Sequence, residues 1–358
     1  MQVPWDWIRQ RPHFLAESLS AGHDVTVVHN RPYTRFKLVK NDRPAGLRFK
    51  LPFVLPFAYL SGANSFLISR QLRTMIADSE LIWLTHPFQY AQIGKAITKK
   101  QLVVYDCMDN NLEFCFVKSN TSLYEKLFRA ERQLVERSDV VIASSGHLKR
   151  ELMRLYAPKS EVHVVNNGID LANMRATPGT EDFSALAPNS CKTISYIGTI
   201  AEWFDFDLIL ESLSRTKNIR YYLYGPARVT IPNHERIKHF GQIDHGRVFE
   251  VMRQSDALVM PFVLNELVLA INPVKLYEYI CSNKPAIAVR YDETSGFEQF
   301  VHLYDSADAY FSCMDRLVAG ALVPKRSETD SMLYVENNTW EKRAAQIMDI
   351  LHNTPMRR

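Results

Sequence analysis

The sequence predicts an α/β protein of two parallel-sheet domains facing a central cleft, and three observations carry that prediction. Short apolar strands alternate with amphipathic helices along most of the chain. The alternation breaks once, at a stretch over residues 175–192 rich in Pro, Thr, Gly and Ser, and then restarts. The length of 358 residues fits two domains better than one, and 46% hydrophobic residues supply a core to each. The expected domains are 1–172 and 173–339, with a closing helix at 340–354 that returns to the first. A net charge of +4 makes no electrostatic case for nucleic acid as a partner. Five scattered cysteines, odd in number and without CxxC spacing, suit reduced thiols and argue against a disulfide framework or a zinc site. With no leader and no apolar run of about 18 residues, a cytoplasmic location is expected.

Taken in order, the chain starts unusually for this class. Trp5 leads almost directly into a helix expected over residues 11–21, so the first strand is expected to be missing or truncated. Phe14, Leu15, Ser18 and Leu19 form the inner side of that helix, Gly22 and His23 end it, and residues 24–29 read as a buried strand. Residues 31–50 then carry seven Lys and Arg against Asp42 alone, and residues 51–60 are apolar but broken by Pro52 and Pro56. A basic arm beside an apolar patch suits peripheral contact with an anionic membrane through 31–60, on the inner face of the cell membrane. It equally suits a solvated loop leading into a core segment.

Strands are expected at 81–85, 102–105, 139–143 and 162–165, with helices at 124–136 and 148–156. Ligands of parallel sheets gather at the carboxyl ends of the strands. His86, Asp106, Asp109 and Ser144 all stand at such ends. After the linker, a strand over 193–197 runs into Gly198 and Thr199, and a helix follows at 205–214. Gly at that turn allows a diphosphate to approach the backbone closely. A strand over 220–224 closes at Gly225 and Pro226; Gln242 and Ile243 follow a further short strand. A helix at 247–254 and a strand at 257–262 come next.

The stretch 271–288 reads as helix, polar turn and strand. Asn272 is the expected cap, Pro273 the first helical residue, and Val274, Leu276, Tyr277 and Ile280 the apolar side. Lys275 and Glu278, three apart, share a face near the helix start. A cation and a carboxylate beside a helix N-terminus suit a phosphate and a sugar hydroxyl; they also suit an ordinary surface ion pair.

The segments Arg11-Pro12-His13-Phe14-Leu15-Ala16, Tyr105-Asp106-Cys107-Met108-Asp109, Asn167-Gly168-Ile169-Asp170, Tyr196-Ile197-Gly198-Thr199 and Asn272-Pro273-Val274-Lys275-Leu276-Tyr277-Glu278-Tyr279 stand in this order. Together they resemble GT-B glycosyltransferases of the family-four type, in particular bacterial cell-surface polysaccharide and teichuronic-acid-type transferases. The resemblance implies two Rossmann-like domains, the second binding a nucleotide-diphosphate sugar (UDP the first expectation) and the first presenting a glycan or lipid-linked acceptor. It implies a retaining transfer with no cofactor and no metal, and no Asp-x-Asp metal motif stands in a convincing loop.

Residue by residue, the resemblance places Gly198, Thr199, Lys275 and the backbone of Ala270 and Ile271 on the diphosphate. Glu278 falls on the ribose, Gln242 and Ile243 on the base, and Tyr224 either beside the base or in the core. His86 would contact the donor sugar. Asp106 and Asp109 would bind acceptor hydroxyls or act as general base, although Asp at such places also caps helices and turns. Arg9, Arg11 and His13 would face the acceptor.

Two departures stand out. Ala270 occupies the place of a glutamate eight residues before the ribose glutamate, and Glu202-Trp203-Phe204-Asp205 stands where an Arg…Lys pair is usual. A nucleotide-sugar epimerase of the same fold and a non-catalytic nucleotide-binding partner of another transferase are the alternatives.

Overall fold

The computed structural model describes residues 4–6, 8–29, 43–54, 62–174, 191–243 and 245–354. Most of the basic arm, the apolar segment 55–60 and most of the linker therefore lie outside the described residues. The chain forms two compact units, Met1–Asn167 with Trp340–Arg358, and Gly168–Thr339. Their division precedes the linker because Ile169 already belongs to the second unit: its N–H donates to Asn338 O at 3.0 Å.

In the first unit, β1 (Val25–Val28) pairs in parallel with β2 (Leu47–Lys50). A second parallel sheet runs β3 (Leu81–Leu84), β4 (Leu102–Cys107), β5 (Val140–Ala143) and β6 (Val162–Val164), in that spatial order. The residues of β5 are all buried, as expected of a strand covered on both faces. Asn120 caps the helix Thr121–Arg137 through Leu123 N–H, and Leu127, Ala130, Leu134 and Val135 line its buried face. The closing helix Trp340–His352 packs on Arg11–Ser20, where the Trp340 and Phe14 rings stack at 5.1 Å. The helix Gly62–Ala77 adds an element that the sequence pattern does not predict.

The second unit holds a six-stranded parallel sheet in the order β12-β11-β10-β7-β8-β9. Its strands are β7 (Lys192–Ile197), β8 (Ile219–Tyr224), β9 (Ile237–His239), β10 (Ala257–Met260), β11 (Ala286–Val289) and β12 (His302–Tyr304). The chain winds outward from β7 through β8 to β9, then returns to β10 on the other side of β7. The order reverses between β7 and β10, and a crevice for ligand opens at the carboxyl ends of strands at such a reversal. Gly198 directly follows β7, and the helix Val274–Cys281 comes after β10.

Candidate functional site

The turn after β7 is shaped by two glycines. Gly198 has φ +152°, and a Cβ there would meet Lys275 Cε at 2.0 Å and Nζ at 2.7 Å. Gly225, closing β8 with φ +130°, would bring a Cβ to 2.1 Å from the Gly198 carbonyl oxygen. Only glycine lets these backbones meet and lets the lysine lie across them. The turns are then tied together: Gly198 N–H donates to Tyr224 O at 2.8 Å and Gly225 N–H to Gly241 O at 2.7 Å. Tyr196 supports the turn from beneath, its hydroxyl donating to Thr199 O at 2.8 Å and its ring lying 5.7 Å from Lys275 Nζ.

The helix Val274–Cys281 buries Leu276, Tyr277, Tyr279, Ile280 and Cys281, which turns Lys275 and Glu278 to its other side. Burial lowers the Lys275 ammonium from its ordinary value, against the raising effect of Glu278. Burial likewise raises the Glu278 carboxyl to about 7; Lys275 opposes this and Asp170 adds to it. Each group thus has an opposite charge for company and still lacks hydration, so an anion and hydroxyls arriving here would replace missing water. The first-turn amides of Val274 and Lys275 have no acceptor within the helix, which favours an anion further.

Several expected details of this site change. The cap is Pro273, not Asn272, whose amide donates to Glu293 Oε2 at 3.3 Å. The Ala270 and Ile271 amides both turn back on Val268 O, so these expected phosphate donors are occupied within the turn after the helix Glu266–Leu269. Tyr224 is a core residue, 2% exposed and stacked on Phe240 at 4.7 Å. Gln242 is exposed and Ile243 partly buried, both next to Gly241, which holds the Gly225 turn.

In the first unit the expected residues separate into occupied and available. Asp106 is fully buried and takes Arg11 Nε at 2.9 Å on one oxygen and 3.1 Å on the other. Arg11 spends its remaining reach on Val165 O at 2.9 Å, Asn166 O at 3.2 Å and Asn167 Oδ1 at 3.3 Å. The pair is a strut between the first helix, β4 and the segment after β6, so both side chains are engaged inside the first unit. His13 is fully buried as well. Its Nδ1 accepts from Gln10 N–H at 3.2 Å while Nε2 faces Pro4 O at 3.2 Å, and burial lowers it to about 4, so it is a neutral Nε2–H tautomer. Arg9 pairs with Glu17 and lies over the Phe14 ring at 4.3 Å.

His86 caps the helix Pro87–Ile93, its Nδ1 accepting Phe88 N–H at 3.2 Å, and burial lowers it to about 3. It is therefore neutral at physiological pH. Asp109 differs from Asp106: it lies in the loop after β4, only partly buried, and desolvation raises its carboxyl to about 6. No side-chain group among the described residues bonds its carboxylate.

Tyr196, Gly225 and Asp170 join the cluster around Gly198, Lys275 and Glu278 beyond the residues expected from the sequence. Gly-Pro after a strand signals the second, and the Asn-Gly-Ile-Asp motif the third; a tyrosine inside an apolar strand carries no signal.

The fold is of the GT-B kind, two Rossmann-like units. Residues 13–173 match the model of Glycosyltransferase Family 4. Over 255 residues the chain is 25% identical to a Bacillus subtilis protein named as a teichuronic acid biosynthesis glycosyltransferase, TuaH. That alignment covers 66% of this chain and 63% of the relative, so the chain spans less than two thirds of the relative's length. Among solved structures, sucrose-phosphate synthase of Thermosynechococcus elongatus superposes with a TM-score of 0.70 at 14% identity, covering 95% of this chain and 92% of that one. WaaG, a glycosyltransferase involved in lipopolysaccharide biosynthesis, gives 0.70 at 14% identity over 98% of each chain. HepE of Anabaena, in complex with UDP, gives 0.65 at 12% identity over 86% of each.

Proposed function

We propose that the protein is a glycosyltransferase that moves a sugar from a nucleotide diphosphate, UDP first among them, to a glycan or lipid-linked acceptor in cell-surface polysaccharide synthesis. The observation that carries this reading is the Lys275 ammonium lying across Gly198, with the under-hydrated Glu278 one turn further along the same helix. Lys275 and the first amides of that helix stabilise the charge that collects on the diphosphate as the sugar–oxygen bond breaks, without calling on a metal. Glu278 accepts hydrogen bonds from the ribose hydroxyls. Asp109 is the base for the acceptor hydroxyl, since no side chain among the described residues bonds its carboxyl and it titrates near its working range. His86, held neutral, offers the donor sugar a hydrogen bond and no charge. Ala270 is 1% exposed and brings no carboxylate to the sugar, so retention rests on the resemblance alone.

The neighbours support the donor class by what they hold: HepE was solved with UDP. Peripheral membrane contact through 31–60 is part of the same proposal, and no helix among the described residues is long and apolar enough to cross a membrane. The removal of Arg11 and Asp106 into an internal strut favours a second reading, a nucleotide-binding partner without turnover. Calorimetry with UDP, followed by a panel of UDP-sugars with the purified protein, separates the two. Glu278→Ala is expected to lower UDP affinity about tenfold and abolish donor turnover. Unchanged turnover would remove the site assignment, and UDP binding without turnover on any acceptor would favour the second reading.

A further inference from the structure

The helix Gly62–Ala77 buries Asn64, Ile68, Leu72 and Ile76 on one side. Its opposite side presents Phe66, 64% exposed, with exposed Arg70 and Arg73 four and seven residues further on, a spacing that puts all three on one face. The helix contains no Asp or Glu, and neither arginine forms an ion pair among the described residues. A second exposed phenylalanine is fastened to the same helix: Phe53, 62% exposed, donates its N–H to Gln71 Oε1 at 2.9 Å and accepts from Gln71 Nε2 at 3.0 Å. Other exposed arginines of the described residues are placed in several ways: Arg129, Arg154 and Arg215 each have a carboxylate within 2.7 Å, whereas Arg132 and Arg253 lie over the rings of Phe128 and Phe249.

Two uncovered aromatic rings beside unneutralised guanidinium groups are poorly suited to water and well suited to an interface with apolar depth and negative charge at its surface. Arginine and phenylalanine act on different layers of such an interface, since the guanidinium meets phosphate oxygens and the ring passes between head groups. We propose that the Phe66, Arg70 and Arg73 face, with Phe53 beside it, docks the first unit onto an anionic lipid surface. This rests on and deepens the peripheral-membrane part of the proposed function by naming a face, and it adds a folded helix to the contact.

The test is flotation of the full chain with vesicles of phosphatidylcholine alone and of phosphatidylcholine with phosphatidylglycerol, at low and at high salt. The parent protein is expected to float with the anionic vesicles only, and to release as salt rises. Arg70→Glu with Arg73→Glu is expected to lower partition about thirtyfold, at roughly a factor of five per cation removed. Phe66→Ser is expected to lower it without changing the salt dependence. All three substitutions are on exposed positions, and a UDP titration of each checks that the second unit is intact. A parent that floats with neither vesicle or with both alike overturns the proposal, as do variants that float like the parent. Absence of UDP binding in the parent would count against the donor reading alone.

Discussion

The two units treat their charged residues in opposite ways. In the first, Arg11 and Asp106 sit in a buried ion pair whose guanidinium also meets backbone carbonyls. In the second, Lys275 and Glu278 share a helix face, but neither holds its ordinary titration, because both lack hydration that their mutual attraction does not replace. A buried pair bonded on several sides fits architecture; a pair short of hydration at the carboxyl edge of a parallel sheet fits the proposed ligand site. The same residue types, read only as types, would be given one role in both units.

The contrast is broken most forcefully at the strut. Arg11→Ala leaves the Asp106 carboxylate buried without its partner and is expected to destabilise the first unit by about 3–5 kcal/mol. Urea unfolding of the full chain checks this. The double replacement Arg11→Met with Asp106→Leu is expected to recover much of the loss, because paired apolar groups carry no desolvation cost. If Arg11→Ala instead left stability unchanged and weakened acceptor use, the strut would have to be returned to the site.

The next effect is at Gly198. A methyl group there meets Lys275 Cε at 2.0 Å, so Gly198→Ala must push the ammonium from the turn. UDP affinity is expected to fall about a hundredfold, the scale of losing a charge-assisted hydrogen bond set and straining a turn with φ +152°. Calorimetry measures it. Affinity within a factor of about three of the parent, roughly 0.6 kcal/mol, would show that Lys275 does not contact the diphosphate.

Much of this arrangement is legible in the sequence, and the parts that are not share a cause. The apolar runs of β4, β5, β7, β8 and β10 and the glycine turn after β7 are local signals, as is the three-residue spacing of Lys275 and Glu278. What the spacing does not tell is which strand-end aspartate has a partner. Asp106 and Asp109 look alike in the sequence, and the residue that distinguishes them, Arg11, is 95 positions from Asp106. The cap moves by one residue because Asn272 has a better partner in Glu293, again distant in the chain. Backbone donors are the least legible: whether the Ile271 amide is free depends on the turn it closes, and it closes on Val268 at 3.0 Å. The helix Gly62–Ala77 is harder to read because its polar and apolar residues alternate only weakly.

A pH series sharpens the comparison from the other side. A carboxyl raised to about 7 on folding favours the protonated form, so its contribution to stability is complete below its ordinary value of 4.5 and is lost as pH rises through about 7. Above that range the ligand-free protein carries the cost of a buried charge. Glu278→Gln removes this cost, and is expected to be more stable than the parent by about 3 kcal/mol at roughly pH 8 and nearly equal to it near about pH 4.5. Thermal unfolding at the two pH values tests the sign. A variant less stable than the parent at the higher pH would mean that Glu278 is satisfied internally, and the distinction between the units would fail.

The smallest expected effect concerns Asp109, the carboxylate at the end of β4 that no side chain among the described residues bonds. With its carboxyl at about 6, a base role requires the ionised form, and lowering the pH to about 5 leaves about a tenth of the molecules competent. Turnover at limiting substrate is therefore expected to fall about tenfold between roughly pH 8 and pH 5, with the inflection near about 6. Asp109→Asn should remove the inflection along with most of the rate, while UDP affinity stays at the parent value because the donor cluster belongs to the other unit. Persistence of the inflection in that variant would assign it to Glu278, whose carboxyl titrates nearby. The comparison would then turn around: the under-hydrated pair of the second unit would control both binding and rate, and the first unit would contribute no titrating group to the reaction.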